Sequence, residues 1–187
     1  MTSSSPTPAP ASGPSSGAAA FFDLDRTLLR GASGEVFAGA MRLAGLVSAD
    51  PVPGERFVYR LFNAIGETLP SMALARQAVT LAKGKSQASV RAAADTVADE
   101  LCAMVQPFAE TAFAAHRAAG RPIVLATTTP YDLVKPFADR LGLDDVVATR
   151  YGVAADGTYD GTLDGPFVWS AGKLAAITEW ADRHGVD

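Results

Sequence analysis

The sequence predicts an α/β fold: a three-layer, Rossmann-like core with a parallel sheet, interrupted by an all-helical insert. Three observations carry this expectation. A short apolar strand, Ala18–Phe22, runs straight into an acid, Asp23, as a buried parallel strand does where it ends. No strand signal occurs between Gly31 and Gln106. From Pro107 onward, strand and helix patterns alternate. The 187 residues are 48% apolar and 19% charged, enough to bury a core and too apolar for a wholly disordered or fibrous chain.

Residues 1–17, MTSSSPTPAPASGPSSG, carry no charged side chain and read as a disordered tail. They have no basic segment ahead of an apolar run, so they do not read as a secretory signal. After the first strand, Ser33 is placed to cap a helix over Glu35–Ala44, which Gly45 stops. Further helices are expected over Glu55–Glu67, Met72–Lys83 and Gln87–Val105. Pro107 opens the next, which ends at Gly120. The β-branched run Pro122–Thr127 is a strand, and Thr129-Pro130 begins a helix that stops at Gly142. Asp145–Thr149 is another strand. Tyr151–Thr162 reads as a hairpin, with Asp156-Gly157 and Asp160-Gly161 as its turn residues. Ser170 caps a last helix to His184, closed by Gly185. The division that follows is a core of residues 18–32 and 107–187 and a helical cap of residues 33–106.

Charge and composition exclude some functions. A formal net charge of −4 disfavours nucleic-acid binding. No apolar run approaches the roughly 18 residues of a membrane span. Cys102 is the single cysteine and has no internal partner, which fits a reducing, cytoplasmic setting; it reads as a small core residue. His116 and His184 read as surface residues on helix faces, and Trp169 as packing. Phe57, Tyr59 and Phe62 read as cap core. Asp144-Asp145 precedes a strand and reads as a helix-end turn rather than a metal pair.

The informative segment is Asp23-Leu-Asp25-Arg26-Thr27 at the end of the first strand. Open α/β sheets bind ligands in the crevice beyond the carboxyl ends of their strands. There, one carboxylate can attack phosphorus, and a second, two residues on, can protonate the leaving oxygen and later activate water. Carboxylate and carbonyl oxygens also suit Mg²⁺. Arg26 adds a cation at the site mouth, for an anionic substrate or for a surface acid.

These residues, with Ile123-Val-Leu-Ala-Thr127, Thr128-Thr129-Pro130-Tyr131 and Ser170-Ala-Gly-Lys173, resemble the haloacid dehalogenase-like hydrolases. The similarity is to their phosphoserine-phosphatase-like subgroup with a helical cap, and it covers residues 18–187. The resemblance implies Asp23 as nucleophile, Asp25 as general acid/base, and both as Mg²⁺ ligands. It implies Thr127 and Thr128 as phosphate-binding residues and Lys173 as the cation that neutralises the phosphoryl group and holds Asp23. The substrate implied is a small phosphorylated metabolite or a lipid-related phosphate.

The sequence also departs from the pattern. The subgroup's cap glutamate for the substrate amine falls nine residues after the nucleophile, where this chain has Ala32, with Ser33 and Glu35 nearby. Its fourth motif supplies a metal acid on a strand after the lysine helix. Here only Glu179, Asp182 and Asp187 follow Lys173, so the chain reads as truncated before that motif. The run Asp-Leu-Asp-Arg-Thr-Leu-Leu followed by Gly-Ala-Ser is similar to a branch often fused to an acyltransferase domain. Two functions stay open: a Mg²⁺-dependent phosphomonoester hydrolase, or an inactive phosphatase-like binding or regulatory module.

Overall fold

The computed structural model describes residues 17–47 and 69–186. Residues 1–16 of the expected tail, the helix expected over 55–67 with its Phe57, Tyr59 and Phe62, and Asp187 lie outside them.

The strands are β1 (Ala20–Phe22), β2 (Ile123–Pro130), β3 (Asp145–Thr149), β4 (Tyr151–Val153) and β5 (Tyr159–Leu163). The helices are α1 (Gly34–Leu43), α2 (Leu69–Leu81), α3 (Gln87–Asp95), α4 (Ala98–Ala103), α5 (Phe108–Ala118), α6 (Tyr131–Arg140) and α7 (Ala171–His184). The first three strands form a parallel sheet in the order β1-β2-β3. Phe22 pairs with Leu125, and Thr127 pairs with Ala148. The first two strands thus reach the same edge: Asp23 lies just beyond β1, and Thr127 is the last β2 residue before a shift in register with β3. The strand expected to end at Thr127 runs on to Pro130, so Thr129-Pro130 closes the strand and the helix starts only at Tyr131.

The central strand explains the layers. Its residues are apolar on both faces, as burial from two sides requires. Ile123 and Leu125 pack with Phe113, Val134 and Phe137 on one face. Val124 and Ala126 pack with Val168, Ala176 and Trp180 on the other. Helices α5 and α6 therefore cover one face and α7 the other. The first layer also takes in Phe37, Ala94, Ala98 and Leu101, so the helical segment shares its core with the sheet. Among the described residues, no helix is long and apolar enough to cross a membrane.

Several local expectations are corrected. The helix expected over Gln87–Val105 breaks between α3 and α4. Thr96 donates its hydroxyl to the Ala93 carbonyl at 2.6 Å, a local bond that competes with the helix ladder. The break turns Ala98 and Leu101 fully inward. Arg140 then bridges it, bonding Asp95 at 2.8 Å and Asp99 at 2.7 Å. Asp156-Gly157 does make the hairpin turn, with Gly157 at φ +80°. Asp160-Gly161 instead lies inside β5, where Asp160 accepts the backbone N–H and the hydroxyl of Thr162. Ser33 occupies the N-cap position of α1, but its side chain makes no capping bond. His116 is half-buried against the Phe22 ring rather than on the surface, and its Nδ1 has no partner among the described residues. Asp144 and Asp145 serve structure: they accept the backbone N–H groups of Ile123 and Val146, and Asp145 also accepts the Trp180 indole.

Candidate active site

Asp23 leaves β1 in an extended conformation, and the chain then makes one wide turn over Leu24–Leu28. Its hydrogen bonds run five residues back, from Leu28 N–H to the Asp23 carbonyl at 3.1 Å and from Leu29 N–H to the Leu24 carbonyl at 2.9 Å. Leu24, Leu28 and Leu29 are fully buried and hold this turn down. Arg26 sits at its crest with φ +59°, a conformation unusual for a non-glycine residue, and its N–H donates to the Gly31 carbonyl. The chain running into the helical segment and the chain returning from it lie side by side. Arg30 N–H donates to Met104, and Gln106 N–H to Leu28.

The turn brings Asp25 back toward the sheet edge. One oxygen of Asp25 accepts the Ser33 N–H at 2.7 Å. Burial raises the Asp25 carboxyl above the ordinary carboxylate range; the Ser33 bonds oppose that rise, and the nearby Asp23 charge adds to it. Ser33 therefore acts on Asp25, not on its own helix. A carboxyl that holds its proton more tightly suits a general acid.

Lys173 comes from the opposite side of the sheet. It is the third residue of α7, and its Nζ lies 2.6 Å from Asp23 Oδ1, across 150 residues of sequence. Asp23 Oδ2 faces the Thr27 hydroxyl at 3.5 Å. The loop before α7 is fixed tightly. The Thr128 hydroxyl donates to the Val168 carbonyl at 2.9 Å, and Val168 N–H donates to Thr149 Oγ1 at 3.1 Å. Gly172 presses on the Phe167 carbonyl, which would stand only 2.2 Å from an added Cβ. Ser170, with φ +52° and no capping bond, turns the chain into the helix.

The expected phosphate-facing hydroxyls thus divide. Thr127 is buried in β2 just before its register shift, and its Oγ1 accepts the Thr129 N–H at 3.2 Å. The Thr128 hydroxyl is committed to Val168. Thr27, Gly172 and Thr149 were not singled out as site residues by the sequence. Thr27 and Gly172 stand within the motifs already quoted, whereas Thr149 shows only as a hydroxyl ending a strand. Cys102 is half-buried, and burial pushes its thiol up. A cavity of about 460 Å³ opens beside the β4–β5 hairpin, lined by Tyr131, Asp132 and Arg150; Asp23, Asp25 and Lys173 do not line it.

Comparison with known proteins identifies the family. A profile of the family described as haloacid dehalogenase-like hydrolase matches residues 20–187. The chain is 30% identical over 171 residues to the inhibition of morphological differentiation protein of Streptomyces azureus, covering 90% of this chain and 61% of that one. It is 30% identical over 173 residues to phosphoserine phosphatase SerB1 of Mycobacterium tuberculosis, covering 91% and 56%. The chain therefore spans little more than half the length of these curated relatives. A solved protein of unknown function from Bordetella pertussis Tohama I superposes with a TM-score of 0.71 at 24% identity, over 90% of this chain and 75% of that one. A phospho-aspartyl intermediate analogue of phosphoserine phosphatase superposes with a TM-score of 0.56 at 21% identity, over 91% and 73%. With the profile spanning nearly the whole chain and the Asp23 and Lys173 motifs meeting at one sheet edge, this protein belongs to the haloacid dehalogenase-like hydrolases.

Proposed function

We propose that the protein hydrolyses phosphate monoesters through an aspartyl-phosphate on Asp23. The observation that carries this reading is the Lys173–Asp23 contact at the carboxyl edge of the sheet. Phosphoryl transfer needs positioning and charge stabilisation more than covalent machinery. An Asp23 oxygen attacks phosphorus while the bond to the leaving oxygen breaks. Asp25, protonated, gives its proton to that oxygen. In the second half, ionised Asp25 takes a proton from water as the water oxygen attacks phosphorus; the bond from phosphorus to the Asp23 oxygen breaks, Asp23 returns to its carboxylate, and inorganic phosphate leaves. Lys173 and Thr127 hold the phosphoryl oxygens.

The donor set fits Mg²⁺, which binds through one or two carboxylates together with substrate phosphate oxygens and water. Asp23 Oδ2 carries only the long contact from the Thr27 hydroxyl at 3.5 Å, and Asp25 lies two residues on at the same turn, where one of its oxygens accepts the Ser33 N–H. Among the described residues, no cluster of three acids, histidines or cysteines forms a closed metal cage. Asp23 and Asp25 would hold the ion, whose chemistry is to neutralise charge between carboxylate and phosphate.

Residues 33–106 act as the cap over this edge in the same reading. The substrate in this reading is a small phosphorylated metabolite or lipid-related phosphate, and Ala32 stands at the position of the subgroup's amine-binding glutamate. The phosphatase name of a relative supports the reaction class only. The comparisons give no support to an acyltransferase partner, and the proposal does not include one. Arg26, exposed at the mouth, is the candidate contact for a second anionic group, and Ser33 serves through its bond to Asp25. A reducing, cytoplasmic setting fits the single cysteine. The test is release of phosphate from p-nitrophenyl phosphate and a panel of monoesters, with and without Mg²⁺, by wild type and Asp23→Asn. Magnesium-dependent turnover lost in the variant supports the reading. Turnover retained in Asp23→Asn rejects it.

A further inference from the structure

Asp132, the second residue of α6, is the one charged side chain among the buried described residues, at 5% exposure. A buried carboxylate is costly unless it is paired and hydrogen-bonded. This one is bonded from three sides. Its Oδ1 accepts Arg91 Nε at 2.6 Å and Gln87 Nε2 at 3.2 Å. Its Oδ2 accepts Gln87 Nε2 at 3.1 Å and the Tyr159 hydroxyl at 2.8 Å. Gln87 and Arg91 belong to α3, and Tyr159 to β5. The same junction is stitched by backbone. Gly84 N–H donates to Tyr159, Tyr159 N–H to Lys85, and Gln87 N–H to Gly157. On its other side, Asp132 stands two residues past Pro130, the last residue of the bulged end of β2 that carries Thr127–Pro130.

We propose that Asp132 is a positioning residue. It fastens the helical segment and the hairpin to the first turn of α6, and so holds the end of β2 that carries Thr127 at the sheet edge it shares with Asp23. It does not touch the reacting atoms. Among the described residues the carboxylate is ion-paired with Arg91, whose side chain is 48% exposed. The rest of its bonding comes from neutral groups of fixed direction, which locates three elements relative to one another. A side chain serving only to bind the helical segment to the hairpin has no need to sit on the phosphate-binding strand's exit. Displacing reacting groups by even about 1 Å costs on the order of 10²-fold in rate.

The experiment compares the full-length protein with Asp132→Asn, which keeps shape and removes charge. Two readouts are taken. The first is amide hydrogen exchange, which does not depend on activity. We expect faster exchange both at 84–87 and 157–159 and at 127–131. The second is steady-state hydrolysis of p-nitrophenyl phosphate, where kcat/KM falls by about tenfold or more, mostly through kcat, as the misplaced-hydroxyl argument requires. Faster exchange confined to 84–87 and 157–159, or none, overturns the proposal, as does an unchanged kcat/KM in a wild-type background that turns over. Where Asp132→Asn does not fold, Arg91→Gln carries the same two readouts with a smaller expected change. The kinetic arm rests on the phosphatase reading. A wild-type protein without turnover rejects that reading, and the exchange pattern still decides this one.

Discussion

Lys173→Met removes one ammonium and keeps an unbranched apolar stem of similar length. The pair it breaks is short, 2.6 Å, but its members are 22% and 39% exposed. Pairs of that exposure contribute about 0.2–1 kcal/mol to folding, because water solvates both ions when they part. The stem continues to cover its neighbours. The catalytic cost is larger. A preorganised group aimed at developing charge is worth roughly 10²–10³ in kcat, about 2.7–4 kcal/mol. The variant should therefore lose two to three decades of phosphatase turnover, on the order of 10²–10³, while its urea midpoint hardly moves. The assay pairs initial rates on p-nitrophenyl phosphate at saturating Mg²⁺ with an equilibrium unfolding curve. A kcat within about threefold of wild type, equivalent to less than about 0.7 kcal/mol, would refute the reasoning. So would a rate loss matched by a loss of folded protein, since Lys173 would then be a structural ion pair.

Three more outcomes are expected. Asp25→Asn should lose roughly 10²–10⁴ of turnover as the proton donor disappears. It should also be more stable than wild type near neutral pH in metal-free buffer. The Asp25 carboxyl is raised from 3.8 by burial, so its favourable contribution is full below that value and is lost as pH rises through the folded-state value. Unfolding curves from acid to neutral pH should show the variant's advantage growing with pH; a shrinking advantage contradicts the assignment. Gly172→Ala should cost about 1–3 kcal/mol, because its Cβ would meet the Phe167 carbonyl at 2.2 Å, and it should slow turnover by shifting Lys173. Gly39→Ala, in α1 with nothing within 4 Å of the added carbon, should instead stabilise by up to about 1 kcal/mol; equal thermal shifts for the two variants would sink this comparison. Thr128→Val should cost about 1–3 kcal/mol by leaving the Val168 carbonyl without its donor, read from urea midpoints; no destabilisation would refute that role.

Much of the molecule was legible in the sequence because local chemistry and tertiary demand coincide there. The apolar run before Asp23, the β-branched run that opens at Ile123 and the glycines that stop α5, α6 and α7 each admit few conformations, although the second strand continues past Thr127 to Pro130. Asp145–Thr149 is a strand with the expected bounds. Legibility failed where side chains act across the fold. Ser33 has the composition of a cap, yet its N–H is drawn to Asp25, a partner brought near only by the wide turn at Leu24–Leu28. Thr96 breaks a helix whose apolar spacing continues without interruption, because Ala98 and Leu101 must turn toward the sheet's helical layer. Asp160-Gly161 has turn composition but sits in a strand, where the absent side chain of Gly152 leaves room for the Asp160 and Thr162 side chains. At the site, the motifs identified Asp23, Asp25, Thr127 and Lys173 as candidates, but only the folded chain shows that Thr128 spends its hydroxyl on Val168. Asp132 has no motif of its own. Its partners lie 27 to 45 residues away, at distances no periodicity encodes.

The central claim is that Asp23 becomes covalently phosphorylated during turnover. The direct measurement is borohydride trapping: the protein is mixed with substrate and Mg²⁺, quenched, reduced and read by peptide mass spectrometry. An acyl phosphate on aspartate is reduced to homoserine. The account predicts homoserine at position 23, dependent on substrate, and an unmodified Asp25. Turnover with no reduced residue at position 23, or with the label at another carboxylate, would contradict it.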